Sequence, residues 1–156
     1  MHRNAVDILL VEDNPADEEL TLIALRKNKI ANAIHVVRDG EEALDFLLCR
    51  GPFEGRSPLP PPRLILLDIR LPKIDGLEVL RCIKQNPSTR AIPVVMLTSS
   101  KQEEDVVKSY EYGVNSFLQK PVDFDRFCEM VRQAGFYWLL VNEPPPPEAF
   151  SPVASC

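Results

Sequence analysis

Five polar residues directly follow short apolar runs of the chain: Glu12, Asp13, Asp68, Thr98 and Lys120. Three carboxylates gathered at one place repel one another, and their pKa values rise unless a cation lies among them. Oxygen ligands alone suit Mg²⁺, a hard ion that also bridges phosphate. A lysine and a hydroxyl can both donate to a phosphoryl oxygen. These residue types therefore predict a magnesium site at which a phosphoryl group is handled.

The apolar runs that precede these residues are short and rich in leucine or β-branched residues, which predicts five strands, at 8–11, 34–37, 64–67, 94–97 and 116–118. Each run is followed by a segment with helical spacing of its apolar residues. Five alternating strands and helices with continuously apolar strands predict a parallel sheet covered by helices on both faces. In such a sheet, ligands bind at the carboxyl ends of the strands. We therefore expect the five polar residues to meet at that edge.

Residues suited to helix starts follow several of the predicted strands. Pro15 fits the first turn of a helix. Asp39 with Glu42, and Ser100 with Glu103, have the spacing of a capping box. In the first helix, the apolar residues predicted to share one face are Ala16, Leu20, Ile23 and Ala24.

The composition limits the classes of function. The chain has 156 residues, which favours one domain, and its net charge of −5 argues against nucleic acid as a partner. No segment approaches the ~20 apolar residues of a membrane helix, and the first residues lack the apolar core of a signal peptide. We therefore expect a cytoplasmic protein without a membrane partner. Four separated cysteines, without a Cys-x-x-Cys pair, predict buried reduced thiols: Cys49, Cys82, Cys128 and Cys156.

Proline is concentrated in two places. Of the 15 prolines, five fall within 50–62 and five within 143–156. Proline fixes φ and supplies no amide donor, so these segments predict a long surface loop and an extended, disordered tail. The folded domain is accordingly expected at residues 6–142, with the tail at 143–156.

Four motifs, each placed after a predicted strand, together resemble the receiver domain of two-component response regulators: Val-Glu-Asp-Asn (11–14), Leu-Leu-Asp-Ile-Arg-Leu-Pro-Lys-Ile-Asp-Gly (66–76), Leu-Thr-Ser-Ser (97–100) and Gln-Lys-Pro (119–121). Each motif alone is weak, but all four in this order are specific. The resemblance covers about residues 6–133. It implies a flavodoxin-like, doubly wound (βα)5 fold with strand order 2-1-3-4-5, here followed by a helical extension.

The resemblance also implies the roles of the site residues. Asp68 is the expected phosphoacceptor, and Lys120 is expected to contact the phosphoryl group. The expected Mg²⁺ ligands are Glu12, Asp13, Asp68 and the backbone carbonyl of Arg70. Arg70 departs from the family because it is bulky and basic beside the acyl phosphate. The family's phosphate lifetime therefore does not carry over.

Three further features of the receiver family map onto this sequence. Thr98 is the expected switch hydroxyl, with Ser99 and Ser100 as rival hydroxyls. Phe117 occupies the aromatic switch position, where it lacks the hydroxyl of a tyrosine, and it is equally well interpreted as a core residue. The Lys120–Pro121 bond is expected to be cis, which proline makes accessible.

More narrowly, the chain resembles the single-domain response regulators associated with cyanobacterial and bacterial phytochromes. The features that carry this resemblance are the 50–62 loop, Ile-Lys-Gln-Asn-Pro (83–87), Ile-Pro-Val-Val-Met-Leu-Thr-Ser-Ser (92–100) and Phe-Tyr-Trp-Leu (136–139). The implied partner is a histidine kinase, with a phytochrome as the candidate, and the implied output is through protein contacts.

Three other functions compete with this interpretation. A phosphatase that forms an aspartyl phosphate needs an acid two residues after the nucleophile, where this chain has Arg70. A flavin-binding carrier needs a glycine-rich loop after the first strand, where the chain is acidic. A docking module of the same fold without phosphorylation does not need the set of acids, threonine and lysine. We therefore expect a phosphoacceptor rather than an enzyme that acts on a diffusible substrate.

The run 136–141 places six large apolar residues after the last predicted helix. Exposed apolar patches mark partner sites, and aromatic residues dominate interface hot spots. We expect a homodimer through the face formed by helix four, strand five and helix five, with Phe136, Tyr137 and Trp138 at the interface. The alternative is that this run folds back onto the domain as core.

Overall fold

The computed structural model describes residues 6–27, 33–58, 60–109, 114 and 116–135. Five parallel strands form one sheet with the order β2-β1-β3-β4-β5, as predicted. The strands are β1 (Ile8–Val11), β2 (Ile34–Val37), β3 (Leu64–Asp68), β4 (Val94–Thr98) and β5 (Ser116–Gln119). The helices are α1 (Pro15–Lys27), α2 (Gly40–Leu47), α3 (Gly76–Gln85), α4 (Lys101–Ser109) and α5 (Phe124–Ala134).

Two apolar layers, one on each face of the sheet, form the core. Alternate strand residues such as Leu10 and Leu66 pack with α1 and α5, where Phe127 is fully buried. The other strand residues, such as Leu67 and Met96, pack with α2, α3 and α4. Because both faces of the sheet are covered, β1, β3 and β4 are apolar and buried up to their last residues. In β3 and β4, the polar side chains therefore lie only at the carboxyl ends.

Side-chain caps fix where three helices begin. Asn14 Oδ1 accepts hydrogen bonds from the amides of Ala16 and Asp17 at the start of α1. Asp75 is the N-cap of α3 and accepts from the Leu77 amide. Asp123 caps α5 in the same way. Each cap satisfies an amide that the first helical turn leaves without a partner.

The predicted capping box of α2 forms with one difference. Asp39 Oδ1 accepts from the Glu42 amide at 2.7 Å, as predicted. The Glu42 carboxylate accepts from the amide of Arg38, one residue before the cap, at 2.8 Å. The two residues still satisfy two amides at this helix start.

The predicted apolar face of α1 is wrong for three of its four residues, since only Ala24 is buried. Leu20 and Ile23 are 46% and 55% exposed, whereas Thr21, Ala24 and Leu25 are buried against the sheet. Both sets have helical spacing, so periodicity alone does not distinguish them. The packing of α1 on β1 and beside α5 selects the second set.

The 50–62 segment is not only a surface loop. It contains one 3-10 turn, Gly51–Phe53, and its last proline, Pro62, is buried. Four side chains form an aromatic cluster between this segment, β2 and α2: His35, Phe46, Phe53 and Arg56. His35 stacks on Phe46 with ring centroids 4.4 Å apart, Phe53 meets Phe46 edge-on at 5.2 Å, and Arg56 lies 3.8 Å from the Phe46 ring centroid.

The cysteines within the described residues are free thiols, as predicted, but only Cys128 is buried. Cys49, which follows α2 with a positive φ of 52°, and Cys82, which lies in α3, are half-buried. No helix in the described part of the chain is long and apolar enough to cross a bilayer. The predicted extension at 136–142, the tail at 143–156 and Cys156 lie outside the described residues.

Candidate functional site

The sheet brings the three predicted carboxylates together at its carboxyl edge. Glu12 and Asp13 directly follow β1, and Asp68 ends the neighbouring strand β3. One oxygen from each of the three side chains lies within 4.8 Å of the others. Glu12 is fully buried and Asp68 is 3% exposed, whereas Asp13 is exposed. The cluster therefore has two buried acids and one open side.

Lys120 lies among these carboxylates. Its Nζ is 3.1 Å from Asp68 Oδ2 and 3.5 Å from Glu12 Oε1. The position of Lys120 is fixed by the end of β5, where its amide donates to the Thr98 carbonyl at 2.7 Å. The Lys120–Pro121 bond is cis, as the family resemblance implies.

The electrostatics of the site are unbalanced. Burial and the neighbouring Asp68 carboxylate raise the pKa of Glu12 to about 8, although Lys120 opposes this shift. Burial alone lowers the pKa of Lys120, but attraction to Asp68 and Glu12 outweighs it and raises that pKa. One lysine thus compensates only part of the negative charge.

These residues fit a divalent cation. The ligand set contains only oxygen atoms, and one bound cation can contact all three carboxylates within the 4.8 Å cluster. A cation also relieves the repulsion that raises the pKa of Glu12. The geometry is therefore that of a site for a hard divalent ion.

Sequence reasoning missed a fourth carboxylate, Asp17. It lies in the first turn of α1, and its Oδ2 is 3.1 Å from Lys120 Nζ. The sequence carried one weak signal, an acidic residue in a first helical turn, which the helix dipole alone explains. Because 103 residues separate Asp17 from Lys120, only the packing of α1 beside the end of β5 brings them together.

The turn after Asp68 folds back tightly over the end of β3. The Gly76 amide donates to the Ile69 carbonyl at 3.0 Å. A Cβ at Gly76 would lie 2.2 Å from the Asp68 carbonyl oxygen, so no other residue fits there without a shift of the backbone. The Arg70 amide donates to Asp68 Oδ1 at 3.3 Å, which holds the start of this turn against the carboxylate.

The Arg70 side chain makes a second contact that the sequence did not reveal. Its Nε donates to Glu103 Oε2 at 2.6 Å, across 33 residues. The other oxygen of Glu103 accepts from the Ser99 amide at 2.7 Å, and Ser100 caps α4 by accepting from the Glu103 amide. Burial acts to raise the pKa of Glu103, but the hydrogen bonds from Ser99 and Arg70 lower it. We call the Arg70–Glu103–Ser99 contacts the clasp.

The two predicted switch residues lie on neighbouring strands. Thr98 ends β4 and is 2% exposed, at the edge of the sheet that carries Asp68. Phe117, in β5, is half-buried against the layer of α2, α3 and α4, and Lys108 lies 5.3 Å from its ring centroid. Phe117 therefore packs as a core residue here. The predicted interface residues Phe136, Tyr137 and Trp138 lie outside the described residues.

The sequence family agrees with this geometry. The response regulator receiver domain family matches residues 8–132. This chain belongs to the receiver-domain family. Its five-stranded parallel fold is thus that of a receiver domain, and the family implies a histidine kinase as the partner.

Its relatives include response regulators from phytochrome systems. The response regulator Rcp1 of Synechocystis sp. is 46% identical over 132 residues, covering 85% of this chain and 88% of Rcp1. The solved structure of the bacteriophytochrome response regulator AtBRR is 53% identical, with a TM-score of 0.81, and the match covers 90% of this chain and 99% of AtBRR. The solved structure of the Mn²⁺-bound form of Rcp1 is 44% identical, with a TM-score of 0.69, and the match covers 89% of this chain and 98% of the Rcp1 chain.

A relative of comparable similarity works in another context. FilR2 of Methanothrix harundinacea, a probable methanogenesis regulatory protein, is 45% identical over 141 residues, covering 90% of this chain and 88% of FilR2. The receiver domain described here is therefore related to phytochrome response regulators without that relation being exclusive.

Proposed function

We propose that this receiver domain accepts a phosphoryl group from a histidine kinase onto Asp68, in a reaction that depends on Mg²⁺, and signals through protein contacts. The observation that carries the proposal is the placement of Asp68. Its carboxylate is 3% exposed and lies beside Glu12, Asp13 and Lys120 at the carboxyl edge of the sheet.

The residues of the chain suit an in-line transfer. An Asp68 carboxylate oxygen attacks the phosphorus of phosphohistidine, and the bond from phosphorus to the histidine nitrogen breaks. Lys120 Nζ, 3.1 Å from Asp68 Oδ2, is placed to donate to a phosphoryl oxygen as charge develops there. The Arg70 amide, 3.3 Å from Asp68 Oδ1, orients the attacking carboxylate. The protein thus supplies position and compensating charge.

Glu12, Asp13, Asp68 and the Arg70 backbone carbonyl are the residues proposed to hold Mg²⁺. When bound, the ion offsets the negative charge shared by the carboxylates and the phosphoryl group. The Mn²⁺-bound form of Rcp1 supports a divalent ion in this family. The oxygen-only ligand set supports Mg²⁺ as the resident ion.

Thr98 and Phe117 are the residues proposed to report phosphorylation. The hydroxyl of Thr98 is drawn to a phosphoryl oxygen, and Phe117 moves into the space that it leaves. The burial of Thr98 and the half-buried position of Phe117 on the adjacent strand support this step.

Phosphorylation of Asp68 is tested with acetyl phosphate and Mg²⁺, followed by a phosphate-affinity gel. We expect one labelled species in the wild type and none in Asp68→Asn. Asp75→Asn is the matched control, because Asp75 caps α3 outside the acidic cluster and the variant should be labelled normally. Labelling of folded Asp68→Asn would contradict the proposal.

We propose no diffusible substrate. The chemistry is then limited to transfer of the phosphoryl group onto Asp68 and hydrolysis of the resulting acyl phosphate. A phosphatase mechanism needs an acid at position 70, where Arg70 is instead engaged with Glu103. A docking module without phosphorylation does not need three carboxylates around a lysine whose pKa they raise. The absence of labelling in the wild type would favour the docking module.

The proposed kinase is a phytochrome, and the proposed location is the cytoplasm. Support comes from the relation to Rcp1 and AtBRR. FilR2 marks the competing possibility of a kinase that does not sense light. Phosphotransfer profiling distinguishes them: we expect the fastest transfer from a phytochrome kinase, and faster transfer from a kinase without a chromophore would overturn this assignment.

We also propose a homodimer through α4, β5 and α5 that includes Phe136, Tyr137 and Trp138, and no nucleic-acid partner. The apolar run 136–141 and the net charge of −5 support these statements. Light scattering on Trp138→Glu tests the interface. We expect a folded monomer; loss of folding would favour a core role, and an unchanged dimer would place the contact elsewhere.

A further inference from the structure

The clasp joins the turn after β3 to the first turn of α4 at the carboxyl edge of the sheet, across 33 residues of sequence. The Arg70 side chain is 80% exposed, whereas that of Glu103 is 11% exposed. An exposed arginine usually gains little from one ion pair. A buried carboxylate, however, needs donors, and Glu103 receives them from Arg70 and from the Ser99 amide. Glu103 is therefore the fixed member of the pair, and Arg70 is the member that can move.

A continuous path of contacts runs from the phosphoacceptor to α4. The Arg70 amide donates to Asp68. Glu103 first, and the Asp68 carboxylate to a smaller extent, raises the pKa of the Arg70 guanidinium. At the other end, Glu103 contacts the Ser99 amide, next to Thr98 in the chain. The same arginine is thus two residues from the phosphoacceptor and in direct contact with the first turn of α4.

Phosphorylation of Asp68 introduces a second anionic partner for the Arg70 guanidinium, in competition with Glu103. A phosphoryl group carries a charge of about −2 and three acceptor oxygens, whereas Glu103 offers a charge of −1. A guanidinium also matches phosphate with two parallel hydrogen bonds, an advantage that a lysine ammonium lacks. The charge on Asp68 therefore shifts the balance of partners for Arg70.

We propose that Arg70 exchanges partners, leaving Glu103 to contact the phosphoryl group on Asp68 and thereby freeing α4 from the turn after β3. This inference rests on the proposed phosphorylation of Asp68 and adds to it a second reporter besides Thr98. Glu103 is a positioning residue that competes for the Arg70 guanidinium. The contact between that guanidinium and the phosphoryl group exists only in the phosphorylated state.

If Arg70 exchanges partners, substitutions of Arg70 and of Glu103 should change the lifetime of the acyl phosphate in opposite directions. The acyl phosphate is lost when a water oxygen attacks phosphorus and the bond from phosphorus to the Asp68 oxygen breaks. Inorganic phosphate leaves as H₂PO₄⁻, carrying the oxygen and both protons of the water, and the Asp68 carboxylate is restored. Removing Arg70 removes a stabilising contact to the phosphoryl group, whereas removing the charge of Glu103 removes a competitor. If the pair of Arg70 and Glu103 only shielded the site from water, changing either residue would shorten the lifetime of the acyl phosphate.

The experiment measures the lifetime of the acyl phosphate after labelling with acetyl phosphate and Mg²⁺. We expect Arg70→Ala to shorten the lifetime about fivefold and Glu103→Gln to lengthen it by a similar factor, as for loss of one exposed ion pair. Glu103→Gln keeps an oxygen for the Ser99 amide, so the start of α4 is preserved. The double variant should behave as Arg70→Ala, since Glu103 then has nothing to compete for.

Glu104→Gln is the matched control. It removes a carboxylate from the same turn of α4 and an ion pair with Lys101, without contacting Arg70. Its lifetime should equal that of the wild type. Mg²⁺ affinity of the unphosphorylated Glu104→Gln protein should stay within about twofold of the wild type, because Glu104 lies outside the acidic cluster.

The outcomes separate this inference from the proposed function. Wild type labelled on Asp68, with both variants shifted in the same direction or with neither shifted, overturns the partner exchange alone. Failure of the wild type to be labelled overturns the proposed function and this inference with it. Opposite shifts, with Glu104→Gln unchanged, support the exchange.

Discussion

The acidic edge of the sheet and the aromatic cluster beside β2 are both built around one cation, but in opposite ways. At the acidic edge, Lys120 lies within 3.5 Å of Glu12, Asp17 and Asp68, and the pKa of Glu12 is still raised to about 8. In the aromatic cluster, Arg56 lies over the neutral Phe46 ring. The first region keeps an excess of negative charge that a ligand can relieve. In the second, the Arg56 guanidinium lies against an uncharged ring and donates to the Ser57 carbonyl.

The two regions therefore contribute to stability in opposite ways. The aromatic cluster gains from burial of rings and from a cation–π contact, so its removal should cost stability and leave the site chemistry unchanged. The acidic edge loses stability through repulsion, so changes there should alter ligand binding more than folding. Substitutions in each region test this contrast.

The largest effect is expected from Phe46→Ala in the aromatic cluster. Phe46 is 2% exposed and contacts His35, Phe53 and Arg56. We expect the free energy of unfolding to fall by about 3–5 kcal/mol, as for other buried phenylalanines, because the truncation leaves a cavity. Denaturant unfolding measures it. Mg²⁺ affinity of the folded protein should be unchanged, and a parallel loss of affinity would show that the two regions are coupled.

The next effect is expected from Asp13→Asn at the acidic edge. The variant removes a charged oxygen from the proposed ligand set, so Mg²⁺ affinity should fall at least about 100-fold, or about 2.8 kcal/mol. Titration calorimetry measures the affinity, and Asp125→Asn, an exposed acid in the first turn of α5, is the control. Unfolding without Mg²⁺ should be little changed, since Asp13 is exposed. Unchanged affinity would contradict the ligand set.

The sequence predicted most of the fold and the main site because both depend on local patterns. Continuous apolar runs placed all five strands to within one residue, and the residue after each run placed Glu12 and Asp68. The strand ends must meet in a parallel sheet, so their side chains could be predicted to meet as well.

Asp17, Glu103 and the aromatic cluster could not be predicted in the same way. Asp17 and Glu103 look like ordinary acidic residues in first helical turns, and their partners lie 103 and 33 residues away. His35 and Phe53 lie on different elements, and which of their faces meet depends on the path of the 50–62 segment. Helical spacing likewise fitted two faces of α1, and only packing chose between them.

A smaller effect is expected from Asp17→Asn. Asp17 is one of three carboxylates near Lys120, and the other two remain to compensate the lysine. We expect a loss of at most about 1 kcal/mol in the free energy of unfolding. Glu19→Gln on the exposed side of α1 is the control. A loss of several kcal/mol in thermal or denaturant unfolding would show that Asp17 is the principal partner of Lys120.

The smallest effect is expected from the titration of His35. Burial lowers the pKa of His35, Glu42 opposes this shift and Arg56 adds to it, so the folded state favours neutral imidazole. The unfolded chain then binds more protons just below the ordinary value of 6.5. The stability from this group is complete above that value and is lost as the pH falls towards the lower folded pKa.

His35→Phe keeps a ring against Phe46 and removes the titration. We expect the difference in unfolding free energy between the variant and the wild type to change below pH 6.5 in favour of the variant, by less than about 1 kcal/mol. Denaturant unfolding at pH 7.5 and pH 5.5 measures this change. If the difference in unfolding free energy is the same at pH 7.5 and pH 5.5, protonation of His35 does not affect stability.

The outer strands of the sheet limit how copies of this protein can associate. β2 and β5 stand at the two edges, and each has only four residues. A short edge offers few free main-chain groups for an added strand, a known protection against uncontrolled β-sheet aggregation. Short edges therefore favour side-chain surfaces over strand addition as the route of association. Under the proposed function, such a surface would respond to the charge added at Asp68, whereas the main-chain groups of β2 and β5 would not.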